Sequence, residues 1–381
     1  MPGLDFLEDE LAALAAVDRL RVERAWDARA GQSVELGGRR LLNFASNDYL
    51  GLASDPRLAA AAAAAEQRDG VGAGASRLVS GHGRVAVELE RALAAWVGAP
   101  AARLFNSGYA ANTGLLPVVC GAGDVIFSDE RNHASWIDGC RLSRAQVVVY
   151  RHGDVDELRR ALASTPARRR AVVTESVFSM DGDTVDLAAV AAVTHAAGGF
   201  LIVDDAHALG VAGPAGAGLG WAAGADIVVG TLGKSVGAAG AFVAGPVGLA
   251  ALLWNRARSL VFSTGLTIGT QAAALEGVRI AASTEGDARR SAVRAAARSV
   301  RAAVGLAGDG AIIPVIVGAD GDAVGAAGAL EERGFWIPAI RPPTVAPGTA
   351  RLRVTLSAGH TAAEVAQLVD VLDDLGLTAS A

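Results

Sequence analysis

Lysine is almost missing from this chain of 381 residues: Lys234 is the only one, so 33 of the 34 basic residues are arginine. Arginine keeps its proton in proteins, whereas a desolvated lysine can lose it and condense with a carbonyl. Imine chemistry through a side chain therefore has one candidate, Lys234. Cysteine is scarce too. Cys120 and Cys140 cannot build a disulfide framework, which makes a reducing cytoplasm the expected setting. Basic charge is not in excess, since 34 basic against 40 acidic residues leave a net charge of −6. The basic footprint of a nucleic-acid binder is absent. There is no CxxC, HExxH or Cys/His cluster to hold a metal, and no GxSxG elbow or Walker loop. One long uncharged run exists, the 21 residues from Ser235 to Asn255. Four glycines and Pro246 interrupt it, which predicts a buried strand, a turn and a helix opened by Pro246, not a membrane span. The acidic, amphipathic MPGLDFLEDELAAL start carries no basic region followed by an apolar core, as a secretion signal would.

What is present is a folding composition, 51% hydrophobic and 19% charged, at a length suited to two or three packed lobes. Residues 7–30 have apolar positions at helical spacing and predict one helix, and RLLNFASNDYLGL then predicts an extended piece ending in a turn. From about 56 to 265, helix-like segments such as VAVELERALAAWVG and DLAAVAAVTHAAGG alternate with short apolar runs. Those runs are RLFNSG, DVIFSD, AQVVVY, AVVTESVFSM, FLIVDD, DIVVG and AFVAG. Strands buried on both faces, with helices between them, predict an α/β fold with a mostly parallel central sheet flanked by helices. After about 285 an arginine-rich helix leads into AIIPVIVG, a further helix, FWIPAIRPPTVAPGTARLRVTLS and a last helix, predicting a smaller α+β lobe. The expected division is residues 1–45 as an N-terminal helix and extended segment, 46–284 as the large α/β domain, and 285–381 as the small C-terminal domain.

Ligands of an open parallel sheet bind at the carboxyl ends of its strands. After RLF comes Asn106-Ser107-Gly108-Tyr109, a glycine turn opening a helix whose free N–H groups suit a phosphate, although an ordinary strand–helix turn reads the same way. After FLIV come Asp204, Asp205 and His207; one aspartate can serve as a helix cap, but two acids and an imidazole exceed what a cap needs. After DIVVG comes Thr231-Leu232-Gly233-Lys234, and His133 follows DVIFSD. A phosphate turn, an acid, a histidine and a lysine on one sheet edge match pyridoxal 5′-phosphate, which needs a lysine, a carboxylate at its ring nitrogen and a phosphate cup.

The ordered motifs NFASNDYLGL, GVGAGASRLVSGHG, LFNSGYAAN, NHASWIDG, TESVFSMDGD, VDDAHALGV, GTLGKSVG, FSTG and IRPPTVAPGTARLRVTL span nearly the whole chain. With them the chain resembles the α-oxoamine synthases, a family of fold-type I pyridoxal-phosphate enzymes. The resemblance implies that Lys234 holds the cofactor covalently and later acts as the base at the amino acid's α-carbon. It implies Asp204 at the pyridine nitrogen, His207 at the phenolic oxygen and His133 stacked on the ring. Gly108 and Tyr109 are implied as turn contacts, with hydroxyls from Ser179 and Thr231. Thr264 would reach the neighbouring subunit's phosphate, so a homodimer is implied. Arg353, with Asn47, would take the amino-acid carboxylate, and Arg21 and Thr344 would lie along the acyl chain.

Within the family, GASRLVSG, NHASWIDG, EGDARR and IRPPTV…GTARLRVTL are most similar to members that join L-alanine to a pimeloyl thioester in biotin synthesis. The implied reaction is a decarboxylative Claisen condensation releasing carbon dioxide and coenzyme A or acyl carrier protein. Sister activities that take glycine with acetyl-CoA, or serine with palmitoyl-CoA, share the catalytic residues. A non-catalytic regulator on this fold would have lost the lysine or the aspartate, and both are present. Two departures stand out: STGLTIGTQAA lacks the proline pair common after STG, and Ala208-Leu209 follows DDAH where small or polar residues are usual.

Overall fold

A computed structural model describes residues 3–379. They form two compact units, one of residues 50–179 and 183–290, the other of residues 3–49, 180–182 and 291–379. The N-terminal segment therefore clusters with the C-terminal part rather than standing alone.

The first unit is built on a seven-stranded sheet. Its order is Ala101–Phe105, Ala241–Gly245, Ile227–Thr231, Phe200–Asp204, Arg170–Glu175, Val125–Asp129 and Gln146–Tyr150. All run parallel except Ala241–Gly245, which is antiparallel to both neighbours. The predicted α/β class is thus the observed one. Strand side chains feed the two faces in turn: Ile202 joins Leu115, Leu116 and Trp136 on one side, while Leu201 and Val203 join Leu158, Val190 and Val228 on the other. The uncharged run resolves as the Ala241–Gly245 strand and the helix Val247–Arg256, with Pro246 at its N-cap. Among the described residues no helix is long and apolar enough to cross a membrane.

In the second unit, Ile312–Gly318, Ala350–Thr355 and Ala339–Ile340 form an antiparallel sheet. A further sheet joins Ala28–Ala30, Ser33–Leu36 and Arg39–Asn43 to Phe335–Trp336, which pairs in parallel with Arg39–Asn43 and ties the two ends of the sequence together.

The single helix expected over residues 7–30 is corrected. Helix runs only from Phe6 to Ala15, the chain turns at Asp18 with φ 56°, and Ala28–Ala30 becomes a strand. No side chain of that helix is buried, so no packing holds the later turns against the pairing that Ala28–Ala30 gains with Ser33–Leu36.

Candidate active site

The carboxyl edge of the seven-stranded sheet gathers the chemistry. Asp204 ends its strand, is 7% exposed, and accepts three hydrogen bonds. Ala206 N–H donates to Oδ1 at 2.9 Å, while the Asn112 amide and the Trp136 indole each donate to Oδ2 at 3.0 Å. Asp205 faces a different task. Fully buried, it accepts from the Leu219 and Gly220 N–H groups, and burial pushes its carboxyl up to about 6. The tandem acids thus divide into one group turned to the site and one anchoring the loop after it.

Lys234 lies in the turn after Ile227–Thr231, and its Nζ is 2.8 Å from His207 Nε2. The turn is drawn tight by Leu232 N–H donating to Gly240 O at 2.9 Å and Ala238 N–H to Leu232 O at 2.9 Å. Thr231 closes it from the side, donating to Gly240 O at 3.2 Å and accepting from Gly233 N–H at 3.3 Å. Gly237 sits at φ +75°, and a Cβ there would come within 2.6 Å of Ala53 N.

His133 caps the helix Ala134–Ser143, its Nδ1 accepting from Ser135 N–H, and burial pushes the imidazole below its usual range. Its backbone N–H donates to Glu175 Oε1 at 2.6 Å. Glu175 pairs in register with Asp204 on the adjacent strand. Burial first, and Asp204 second, push its carboxyl up to about 8. Ser107 caps the helix Gly108–Val119 by accepting from Ala110 N–H. The space over Gly108 is open, with nothing within 4 Å of where a Cβ would stand. The exposed Tyr109 donates its hydroxyl to Asp138. Ser179 lies in the loop after Glu175, where Phe178 N–H donates to Asp183 O at 3.0 Å. Thr264 is exposed, forms an antiparallel bridge with Ser76, and its carbonyl accepts from the Asn106 amide at 2.6 Å.

The remaining expected residues lie in the other unit. Arg353, 7% exposed on the Ala350–Thr355 strand, donates to Asn47 Oδ1 at 3.1 Å, so the sequence-predicted pair does meet. Arg21 donates to Pro342 O at 3.4 Å, beside the turn in which Thr344 N–H donates to Arg341 O. A cavity of ≈ 590 Å³ opens there, with Arg21, Arg24 and Arg341 around apolar walls that include Val324, Trp336 and Ile337. Glu331 neutralises Arg24 through two bonds of 2.6 and 2.8 Å.

Reading the sequence misses Glu175, Asn112 and Trp136. Glu175 ends a strand just as Asp204 does, so the strand-end rule could have found it. Trp136 carries no such signal, because a tryptophan in a helix reads as core.

The chemistry of this donor set fits pyridoxal phosphate: an anion held by three donors, a lysine against a histidine, and an open helix N-terminus. Comparison with known proteins agrees. The model of the aminotransferase class I and II family matches residues 39–372. An 8-amino-7-oxononanoate synthase of Anaeromyxobacter sp. (strain Fw109-5) is 50% identical over 384 residues, covering 98% of this chain and 96% of its own. A serine palmitoyltransferase from S. paucimobilis, solved with a bound PLP–myriocin adduct, superposes with a TM-score of 0.90 at 29% identity, covering 98% and 97% of the two chains. An 8-amino-7-oxononanoate synthase from Francisella tularensis superposes at 0.74 with 25% identity, covering 88% and 98%.

Proposed function

This chain belongs to the aminotransferase class I and II family, and from that premise we infer that it has 8-amino-7-oxononanoate synthase activity. It condenses L-alanine with a pimeloyl thioester, of coenzyme A or acyl carrier protein, in biotin synthesis, with loss of carbon dioxide. The observation that carries the reading is the sheet edge itself, where Lys234 meets His207 beside an Asp204 carboxylate held by three donors. The 50% identity to an 8-amino-7-oxononanoate synthase over almost the full length supports the reaction.

Bound pyridoxal phosphate supplies an electron sink for the carbanion at the amino acid's α-carbon. Lys234 is the one side chain able to hold its aldehyde covalently, and once released it moves the α-proton. Asp204 keeps the ring nitrogen protonated. When the cofactor is bound, His207 would donate to its phenolic oxygen and His133 would cover its ring, while Gly108, Tyr109, Ser179 and Thr231 would serve its phosphate end and rim. Arg353, with its planar fork and Asn47 at its side, takes the alanine carboxylate. The arginine-rimmed cavity suits an apolar chain ending in a carboxylate. Arg24 is already neutralised there, and Arg21 donates only to a carbonyl among the described residues. Thr344 borders it. We assign the protein to the cytoplasm and to a homodimer in which Thr264 serves the partner's cofactor; exposed Val71, Val79 and Phe262 support a covered face near it.

The test is a substrate panel on the cofactor-loaded protein, reading thiol release from the acyl donor and the mass of the product. L-alanine with pimeloyl-CoA should exceed glycine with acetyl-CoA and L-serine with palmitoyl-CoA by at least an order of magnitude. The last pair matters because the serine palmitoyltransferase superposes so closely. A reversed ranking would keep the chemistry and overturn the substrate.

A further inference from the structure

Each oxygen of an ionised carboxylate offers two acceptor positions. On Asp204 they are unequally filled. Oδ2 holds both the Asn112 amide and the Trp136 indole at 3.0 Å, whereas among the described residues Oδ1 holds only Ala206 N–H. The geometry points to Trp136 and Asn112 as positioning residues. Together they saturate Oδ2, fix the orientation of the Asp204 side chain, and leave one lone pair on Oδ1 to receive the cofactor's ring nitrogen. This deepens the reading above and rests on it.

Three features of the chain support the assignment. Trp136 is 0% exposed, so its N–H has no water to turn to, and it spends its one donor on this carboxylate. Asn112, 2% exposed, must present its nitrogen here, since the reversed amide would set an oxygen against Oδ2. Held that way, Asn112 Oδ1 has no hydrogen-bond partner among the described residues. A buried orphaned oxygen destabilises the fold, so the arrangement serves the carboxylate rather than stability. Gly139 makes it possible. A Cβ there would stand 2.8 Å from Asn112 O, and its absence lets the Ala134–Ser143 helix lie against Gly108–Val119 until both donors reach one atom.

Donors on Asp204 favour the state with the proton on the ring nitrogen over the state with the proton on the aspartate. Removing one bond to a charged acceptor shifts such a ratio by about tenfold or more. The experiment loads the protein with cofactor labelled with ¹⁵N at the ring nitrogen and compares wild type, Trp136→Phe, Asn112→Ala and the double variant by NMR, with kcat measured alongside. The ¹⁵N resonance should sit at the protonated position in wild type. It should move toward the unprotonated position in each single variant and furthest in the double one, with kcat down about tenfold per bond lost. A wild-type resonance and a kcat within about twofold in folded variants would overturn the inference. If Trp136→Phe does not fold, Asn112→Ala tests the same oxygen by the same shift. An unprotonated ring nitrogen in the wild type, or no bound cofactor at all, would instead overturn the role given to Asp204.

Discussion

Replacing Lys234 by arginine preserves a long basic side chain beside His207 but removes the only side-chain amine able to bind an aldehyde. Lys234→Arg should lose the visible absorbance of bound cofactor, with activity down about a thousandfold or more. An active, coloured variant would refute the assignment. Glu175 yields a prediction with a sign. Its carboxyl sits at about 8 in the folded protein against an ordinary value near 4.5, so the native state binds the extra proton more tightly. The slope of stability with pH is therefore negative from about 4.5 to 8, where the folded protein resists ionising a group that the unfolded chain ionises freely. Glu175→Gln keeps the acceptor for His133 N–H and cannot ionise. In cofactor-free protein, the Tm of Glu175→Gln should exceed that of wild type by a few degrees at pH 8, and the gap should close below pH 4.5. A gap independent of pH would exclude that titration as the cause. The positions of Lys234, Asp204, His207 and His133 at strand ends were legible because a strand end followed by a polar residue is a local pattern. The partners of Asp204 were not, since 92 and 68 residues separate it from Asn112 and Trp136.

At the scale of elements, the approach of two helices is set by a missing side chain. Gly139→Val would force its Cβ against Asn112 O and the Leu116 methyl, which an ideal Cβ already meets at 2.8 and 3.2 Å. Overpacking of this kind costs about 1–3 kcal/mol, so Gly139→Val should unfold at lower denaturant and hold cofactor more weakly. A wild-type midpoint would show that the helices separate freely. The strands of the seven-stranded sheet were legible because burial on both faces writes them as unbroken apolar runs. Helix beyond Ala15 was a misreading of the same logic. Apolar spacing also arises on a segment that stays exposed within its own chain, as Val17, Val22 and Trp26 do. Periodicity reports a wish for a partner, and only packing reports whether one is there.

For the whole molecule, exposed apolar side chains carry the prediction. Phe262 is 70% exposed, two residues before Thr264, on a segment bridged to Ser76. If a second copy covers it, sedimentation should report twice 38.4 kDa. Phe262→Glu should shift that mass to the monomer and lower activity at least tenfold, because burying an unpaired charge at an interface costs several kcal/mol. A monomeric and fully active wild type would overturn both the dimer and the role of Thr264. The division into two units was legible only in part. A change of texture falls near residue 285 and the units part after Arg290, but the pairing of Phe335–Trp336 with Arg39–Asn43 joins stretches almost 300 residues apart, which no local pattern announces.

The contact between Lys234 and His207 has a practical consequence at the bench. In most proteins an amine-directed reagent decorates dozens of surface lysines and reports nothing in particular. Here, apart from a terminal amine, one half-buried nitrogen is the whole target. Hydride reduction of the cofactor-loaded chain should add a single mass increment, whereas acylation of the bare chain should add one at Lys234 beside that of the terminal amine, and occupancy should suppress the lysine increment alone. Counting functional sites in a preparation then reduces to weighing intact chains.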